Sequence, residues 1–323
     1  MSNFLFFTDV HLKLSSPRRR TDDIFEAQLK KLRWIGRKAE ELNSICVVCG
    51  GDLSDAWDWK ISMVNRVAEI FNAYPCPVMA IIGNHDVPGR NPDLWKDTGL
   101  GLLDAMGSVR VISLQSKHNL DIGWVNSFKP VQQYCNPRAS GKFALFPFHS
   151  DAKNTEELVE GKLSLDLSPI VGLKVALVHA PVGAETTPYC KGHKELFIAD
   201  FDVALFGDIH DGWPIFDSLT GCRICNPGSL TRLTKKDMNR IPQIAIVYED
   251  ATIEYVEVPH TPMRECFDMS GIEAEKQELG KGFLAAIAAR KVMGDIDPKD
   301  YVERIGKEAG YSQESIELLK AEL

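Results

Sequence analysis

Short apolar runs recur along this chain, and each stops abruptly on a polar or turn-forming cluster: NFLFFTD, SICVVCGGD, PVMAIIGNHD, VRVIS, KFALFPFHSD, LKVALVHAP and DVALFGDIH. Runs bounded in this way predict buried strands. Between several of them lie stretches of helical period, Asp22–Leu42 with Thr21 as its expected cap, and Ile61–Asn72. Strands alternating with helices imply an α/β layered domain. The run QIAIVYEDATIEYVEV closes it as a hairpin turning at Glu249–Ala251. Beyond Pro259 no strand signal remains, and Ile272–Val292, Lys299–Lys307 and Gln313–Leu323 read as helices. The expected organisation is a domain over 1–258, a linker or reduced cap over 259–270, and a small helical appendage over 271–323.

The polar residues have a pattern of their own. FFTDVHL ends on Asp9 and His11, CGGDLSD on Asp52, IIGNHDV on Asn84 and His85, ALVHAP on His179, and GDIH on Asp208 and His210. Carboxyl ends of strands are where open α/β sheets assemble their ligand sites. Singly, a strand-end Asp is a turn former and a lone His a structural residue. Their recurrence at successive strand ends implies one shared site. Residues one apart on an extended chain point the same way, so Asp208 and His210 could share one ion, as could Asp9 and His11.

The series D-x-H (Asp9, His11), G-D-x-x-D (Gly51–Asp55), G-N-H-D (Gly83–Asp86), the strand-end His179 and G-x-x-H (Gly207–His210) resembles the calcineurin-like metallophosphoesterase family. The resemblance runs from Phe4 to about Val258. Within the family the chain is most similar to SbcD-type DNA-repair nucleases, through GGDLSD, LGLLDAMGSVRVI and the NPGSLTR turn at Asn226–Arg232. That likeness implies a sandwich of two facing β-sheets flanked by helices, with two divalent ions at one edge. It implies that Asp9, His11, Asp52 and His210 hold one ion and Asn84, His179 and Asp208 the other, with Asp52 bridging. His85 would protonate the leaving oxygen, and Asp55 and Asp86 would stand behind the ligands. It further implies a nuclease, exo- or endonucleolytic, acting in DNA recombination and repair. The carboxyl-terminal helices would then grip an SbcC-type coiled-coil ATPase.

One position departs from the family, which has His where this chain has Asp208. The extra carboxylate joins Asp9 and Asp52, lowers the charge of a two-ion site and favours Mn²⁺ or Mg²⁺ over zinc. Arg18, Arg19 and Arg20 in SSPRRR, and Arg232 in GSLTR, are candidates for DNA phosphate contacts. A formal net charge of −8 argues against a broadly cationic surface. It keeps open a small-molecule phosphodiesterase or phosphomonoesterase, and a non-catalytic interaction module on the same fold is the third reading. Pairing of two subunits is also open. The C-x-x-C pairs Cys46/Cys49 and Cys222/Cys225 read as reduced strand cysteines facing opposite sides, not as a zinc site. No basic n-region precedes the first apolar run and no run is long enough to span a bilayer, so a cytoplasmic location is expected.

Overall fold

In the computed structural model the chain divides into two compact units, Met1–Cys266 and Phe267–Leu323. The structure describes residues 1–17, 20–112, 123–125, 140–163, 165, 167–168, 170–187, 189–234, 237, 239–268 and 303. Arg18, Arg19 and nearly all of the expected carboxyl-terminal helices lie outside the described residues.

The elements of the first unit are, in chain order, β1 (Asn3–Phe7), α1 (Ile24–Glu41), β2 (Val47–Cys49), α2 (Ile61–Asn72), β3 (Val78–Ala80), α3 (Gly99–Ala105), β4 (Arg110–Val111), β5 (Gly123–Val125), β6 (Ser140–Phe148), α4 (Lys153–Val159), β7 (Val171–His179), β8 (Val182–Gly183), β9 (Lys191–Gly192), β10 (Val203–Gly207), β11 (Trp213–Asp217), β12 (Arg223–Asn226), β13 (Gln243–Tyr248), β14 (Ile253–Glu257) and α5 (Met263–Cys266). One sheet has the order β14-β13-β1-β2-β3-β4 and the other β11-β12-β10-β7-β6-β5. Strands β1 to β4 are mutually parallel, as are β6, β7, β10 and β12. Parallel pairing sends all their carboxyl ends to one edge of each sheet, where the polar clusters fall.

Side-chain alternation builds two cores from one sheet. Phe4 and Phe6 of β1 join the core between the sheets, while Leu5 and Phe7 join the core under α1, α2 and α3. Phe4 meets Phe143 of the facing sheet edge-on, with ring centroids 5.0 Å apart. The same alternation sends Cys46 to the first core and Cys49 to the second. The other cysteine pair differs from its expectation. Cys222 sits one residue before β12, and both Cys222 and Cys225 join the sandwich core. Burial pushes both thiols up to about 12, and the described cysteines are all free.

The helix signals at 22–42 and 61–72 hold, with one correction. Helix α1 buries Phe25, Leu29, Leu32 and Ile35 along one stripe, and its cap is Asp23, which accepts from the Glu26 N–H at 3.1 Å. Thr21 instead donates its hydroxyl to the Glu265 carbonyl at 3.2 Å. Strand β11, WPIFD, escaped the pattern because Pro214 interrupts it; the strand lies at a sheet edge, where proline costs no ladder bond. No described helix is long and apolar enough to cross a membrane.

Candidate metal centre

The loops that follow β1, β2, β3, β7 and β10 converge, and the backbone bends sharply as each leaves its strand. Asp9, His11, Asp52 and Asp208 have φ of 53°, 48°, 49° and 87°. The left-handed region is costly for a residue with a Cβ, and surrounding bonds must hold it. Here the Asp9 N–H donates to the Gly51 carbonyl at 3.1 Å, and the His11 N–H to the Asp52 carbonyl at 3.0 Å, zipping two loops together. Ser229 Oγ donates to the Asp9 carbonyl at 2.8 Å. The Asp208 N–H and the Thr8 hydroxyl both reach Asp9 Oδ2, at 3.1 and 2.7 Å. Gly83 completes the cradle, because a Cβ there would stand 2.1 Å from Asp52 Oδ1.

These bends correct the extended-chain picture for Asp208 and His210, while Asp9 and His11 stay together. Asp208 Oδ1 lies 3.7 Å from His179 Nε2, whereas His210 Nε2 lies 2.9 Å from His11 Nε2. The carboxylate and the imidazole of GDIH therefore part to different neighbours. Two donor groups result. In one, His11 Nε2 faces His210 Nε2, with Asp9 Oδ1 and Asp52 Oδ2 each 3.7 Å away. In the other, His179 Nε2 faces Asn84 Oδ1 at 3.1 Å, Asp52 Oδ2 at 3.4 Å and Asp208 Oδ1. Asp52 Oδ2 belongs to both.

The chemistry of the donors fits divalent cations. His179 Nδ1 lies 2.8 Å from the Gly50 carbonyl and so carries a proton, which in the neutral ring turns the Nε2 lone pair toward three oxygens. Two imidazole nitrogens likewise confront each other between His11 and His210. Such contacts are attractive only with a proton or a metal ion among them. The buried charges of the centre act on one another. Burial disfavours ionised Asp9, but the His11 hydrogen bond and the charge of His179 outweigh it and hold the carboxyl below its ordinary range. Burial and the His179 charge compete in the same way at Asp52, which is also lowered. Against the opposing effect of burial, Asp52 and Asp9 raise His179. Burial raises Asp208, reinforced by repulsion from Asp9 and Asp52.

His85 stands at the rim and is exposed. Its N–H donates to Asp52 Oδ1 at 2.9 Å and its Nδ1 lies 3.0 Å from the Asp55 carbonyl. The chain is bent here, so a bend and not strand alternation separates His85 from Asn84. Asp86 is buried and accepts from the Gly83 and Ser54 N–H groups at 3.0 and 3.2 Å, tying the two loops. Burial, then the Asp52 charge, pushes it up to about 7. Asp55 pairs with Lys13 at 2.6 Å and stands 3.8 Å from His11 Nδ1.

Two arginines expected at phosphate are engaged elsewhere. Arg20 chelates Asp22 at 2.8 and 2.6 Å and donates to the Arg232 carbonyl at 2.6 Å. Arg232 is 4% exposed and donates to the Thr261 carbonyl. Loop carbonyls in the interior thus claim part of each guanidinium. The pattern also overlooked Arg90, an exposed cation beyond the Pro-Gly turn of GNHDVPGR whose charge reaches Asp208. Among the described residues its side chain makes no hydrogen bond or ion pair. A cation just after a strand-end ligand motif was the available signal.

The sequence profile of the calcineurin-like phosphoesterase family matches residues 2–212. This chain belongs to that family. Membership and the donor groups together make it a metal-dependent phosphoester hydrolase. A search of curated proteins finds no match. Among solved structures, a dimetal phosphatase from Danio rerio is similar at 14% identity and a TM-score of 0.46, over 80% of this chain and 96% of that one. The NAD nucleotidase of Haemophilus influenzae is similar at 14% identity and a TM-score of 0.42, over 80% of this chain and 50% of that one.

Proposed function

We propose that this member of the family is a two-ion phosphodiesterase and that its substrate is DNA. The observation that carries the phosphodiesterase reading is the placement of His85, an exposed imidazole whose own backbone N–H is bonded to the carboxylate common to both donor groups. Asp9, His11, Asp52 and His210 would hold one ion; Asn84, His179 and Asp208 would hold the other, with Asp52 shared. When bound, two divalent ions neutralise the phosphate oxygens and make water a nucleophile at neutral pH. The residues do the rest. The Asp55 carbonyl holds the His85 Nδ1 proton, so Nε2 is the atom that gives its proton to the departing alkoxide. The Asp52 contact ties that acid to the centre, and Asp86 locks the loops carrying both. Three carboxylates and the Asn84 amide oxygen make the donors oxygen-rich, which favours Mn²⁺ or Mg²⁺.

Support for DNA comes from GGDLSD, LGLLDAMGSVRVI and NPGSLTR, which resemble SbcD-type nucleases. In that setting the region 271–323 docks on an SbcC-type ATPase. A second reading, a small phosphoester as substrate, is favoured by the engagement of Arg20 and Arg232 with carbonyls. One experiment separates them: purified protein in Mn²⁺ with a labelled DNA oligonucleotide and a chromogenic phosphodiester in parallel, and His85→Ala as control. DNA cleavage that the substitution abolishes supports the first reading. Turnover of the small ester alone gives the second, and silence on both, with the ATPase partner supplied, overturns the enzymatic reading.

A further inference from the structure

The turn NPGSLTR is built in an unusual way. Four successive carbonyls, those of Ser229, Leu230, Thr231 and Arg232, each accept from a cationic side chain: Arg240, Lys31, Arg240 again and Arg20, at 2.5, 2.5, 2.6 and 2.6 Å. Lys31 is buried, and burial together with the neighbouring Arg232, Arg20 and Arg240 charges holds its ammonium well below the ordinary range. Cations are kept together in this way only where hydrogen bonds to carbonyls compensate the loss of water.

One of these cations also reaches the metal centre. Arg240 Nη1 donates to the His210 carbonyl at 2.7 Å as well as to Ser229, and the Ser229 N–H reaches the same His210 carbonyl at 3.0 Å. Gly228 makes room for it, since a Cβ there would stand 2.7 Å from that oxygen. The contrast between the imidazoles gives this contact its meaning. A metal-binding His is ordinarily oriented by a bond from its second ring nitrogen. His179 has one, to the Gly50 carbonyl. Among the described residues His210 has no hydrogen bond at Nδ1, so its direction is inherited from its backbone.

We propose that Arg240 is the positioning residue for His210: its planar fork fixes the His210 carbonyl to the Ser229–Thr231 loop and thereby aims the imidazole at His11. A lysine could hold only part of this arrangement, because an ammonium lacks the fork. The inference rests on the reading of His210 as a metal ligand, and the test separates the two.

The test titrates chelator-treated, full-length protein with Mn²⁺ alone by calorimetry, comparing wild type, Arg240→Gln, Arg240→Lys, His210→Ala and Asp208→Ala, with melting temperatures recorded in parallel. Arg240→Gln is expected to weaken one class of sites by about ten- to a hundredfold, the magnitude typical of lost support behind a ligand. It should be the class that His210→Ala removes and Asp208→Ala leaves in place. Arg240→Lys should recover part of the loss, and it carries the test if the Gln variant does not fold. Unchanged affinity in both Arg240 variants, or equal weakening of both classes alongside a lowered melting temperature, overturns the inference. If His210→Ala binds Mn²⁺ as wild type does, the reading of His210 itself fails.

Discussion

At the scale of single residues, proximity to the centre and a role in the chemistry are separable by experiment. If His85 delivers a proton, its importance must scale with the need of the leaving group for one. His85→Ala is expected to lower kcat about 10²- to 10⁴-fold on a DNA phosphodiester, whose alkoxide is a poor leaving group. On a nitrophenyl ester, whose phenolate departs unprotonated, the loss should be several-fold smaller. Equal losses on both substrates would mean that His85 supports the loops and donates no proton. Asp208 answers to a different measurement. Asp208→His replaces an oxygen donor by nitrogen beside His179, so competition against a chromophoric chelator should show a higher Zn²⁺-to-Mn²⁺ affinity ratio than in wild type. An unchanged ratio would remove Asp208 from the donor set. Both residues were legible in the chain because each follows an apolar run. Their directions came only from the family resemblance, since a left-handed φ at Asp208 sends it away from His210 and no periodicity encodes such a bend.

Elements set how closely these residues can approach. Strands β1, β2 and β3 are parallel, so the loops after them lie side by side, and contacts between loops replace the ladder that has ended. Gly83 is where that packing leaves least room: a methyl group would overlap Asp52 Oδ1 at 2.1 Å. Gly83→Ala should therefore displace the shared carboxylate, weaken Mn²⁺ binding at least about tenfold, and destabilise the fold by about 1–3 kcal/mol as other overpacked sites do. Calorimetry and denaturant melts check both; normal Mn²⁺ affinity would show that the loop yields without moving Asp52. The strand ends could be read from sequence because buried strands carry an uninterrupted apolar signal. The carbonyl clamp around NPGSLTR could not, because Lys31, Arg20 and Arg240 come from α1, the loop before it and the loop after β12. On the page of the sequence Arg20 and Arg232 look like solvent cations suited to phosphate. Only tertiary packing shows that they are committed to the chain itself.

For the whole molecule the decisive contact is one that ties the two sheets. His149 follows β6 of one sheet, and its Nδ1 accepts the N–H of Ile82, which follows β3 of the other, at 3.0 Å. The ring is 2% exposed, and burial, assisted by the charge of His179, pushes its pKa down to about 3. Protonation would also destroy the acceptor that Ile82 uses. In the unfolded chain the same histidine titrates near 6.5. As the pH falls below that value the unfolded state takes up a proton that the folded state refuses. The stabilisation is therefore complete above pH 6.5 and is lost progressively down to about 3. At pH 5 the loss should amount to about 2 kcal/mol, at about 1.36 kcal/mol per pH unit of separation. Asn offers an oxygen near the position of Nδ1 and does not titrate, so His149→Asn should keep the sandwich folded at neutral pH. Its stability should then depend less on pH between 7.5 and 5 than that of wild type, by about the same 2 kcal/mol. Urea denaturation at those two pH values measures the difference directly. Parallel pH dependence in the two proteins would show that His149 takes up its proton in the folded state at no cost in stability, and that the sheets do not depend on its bond from Ile82.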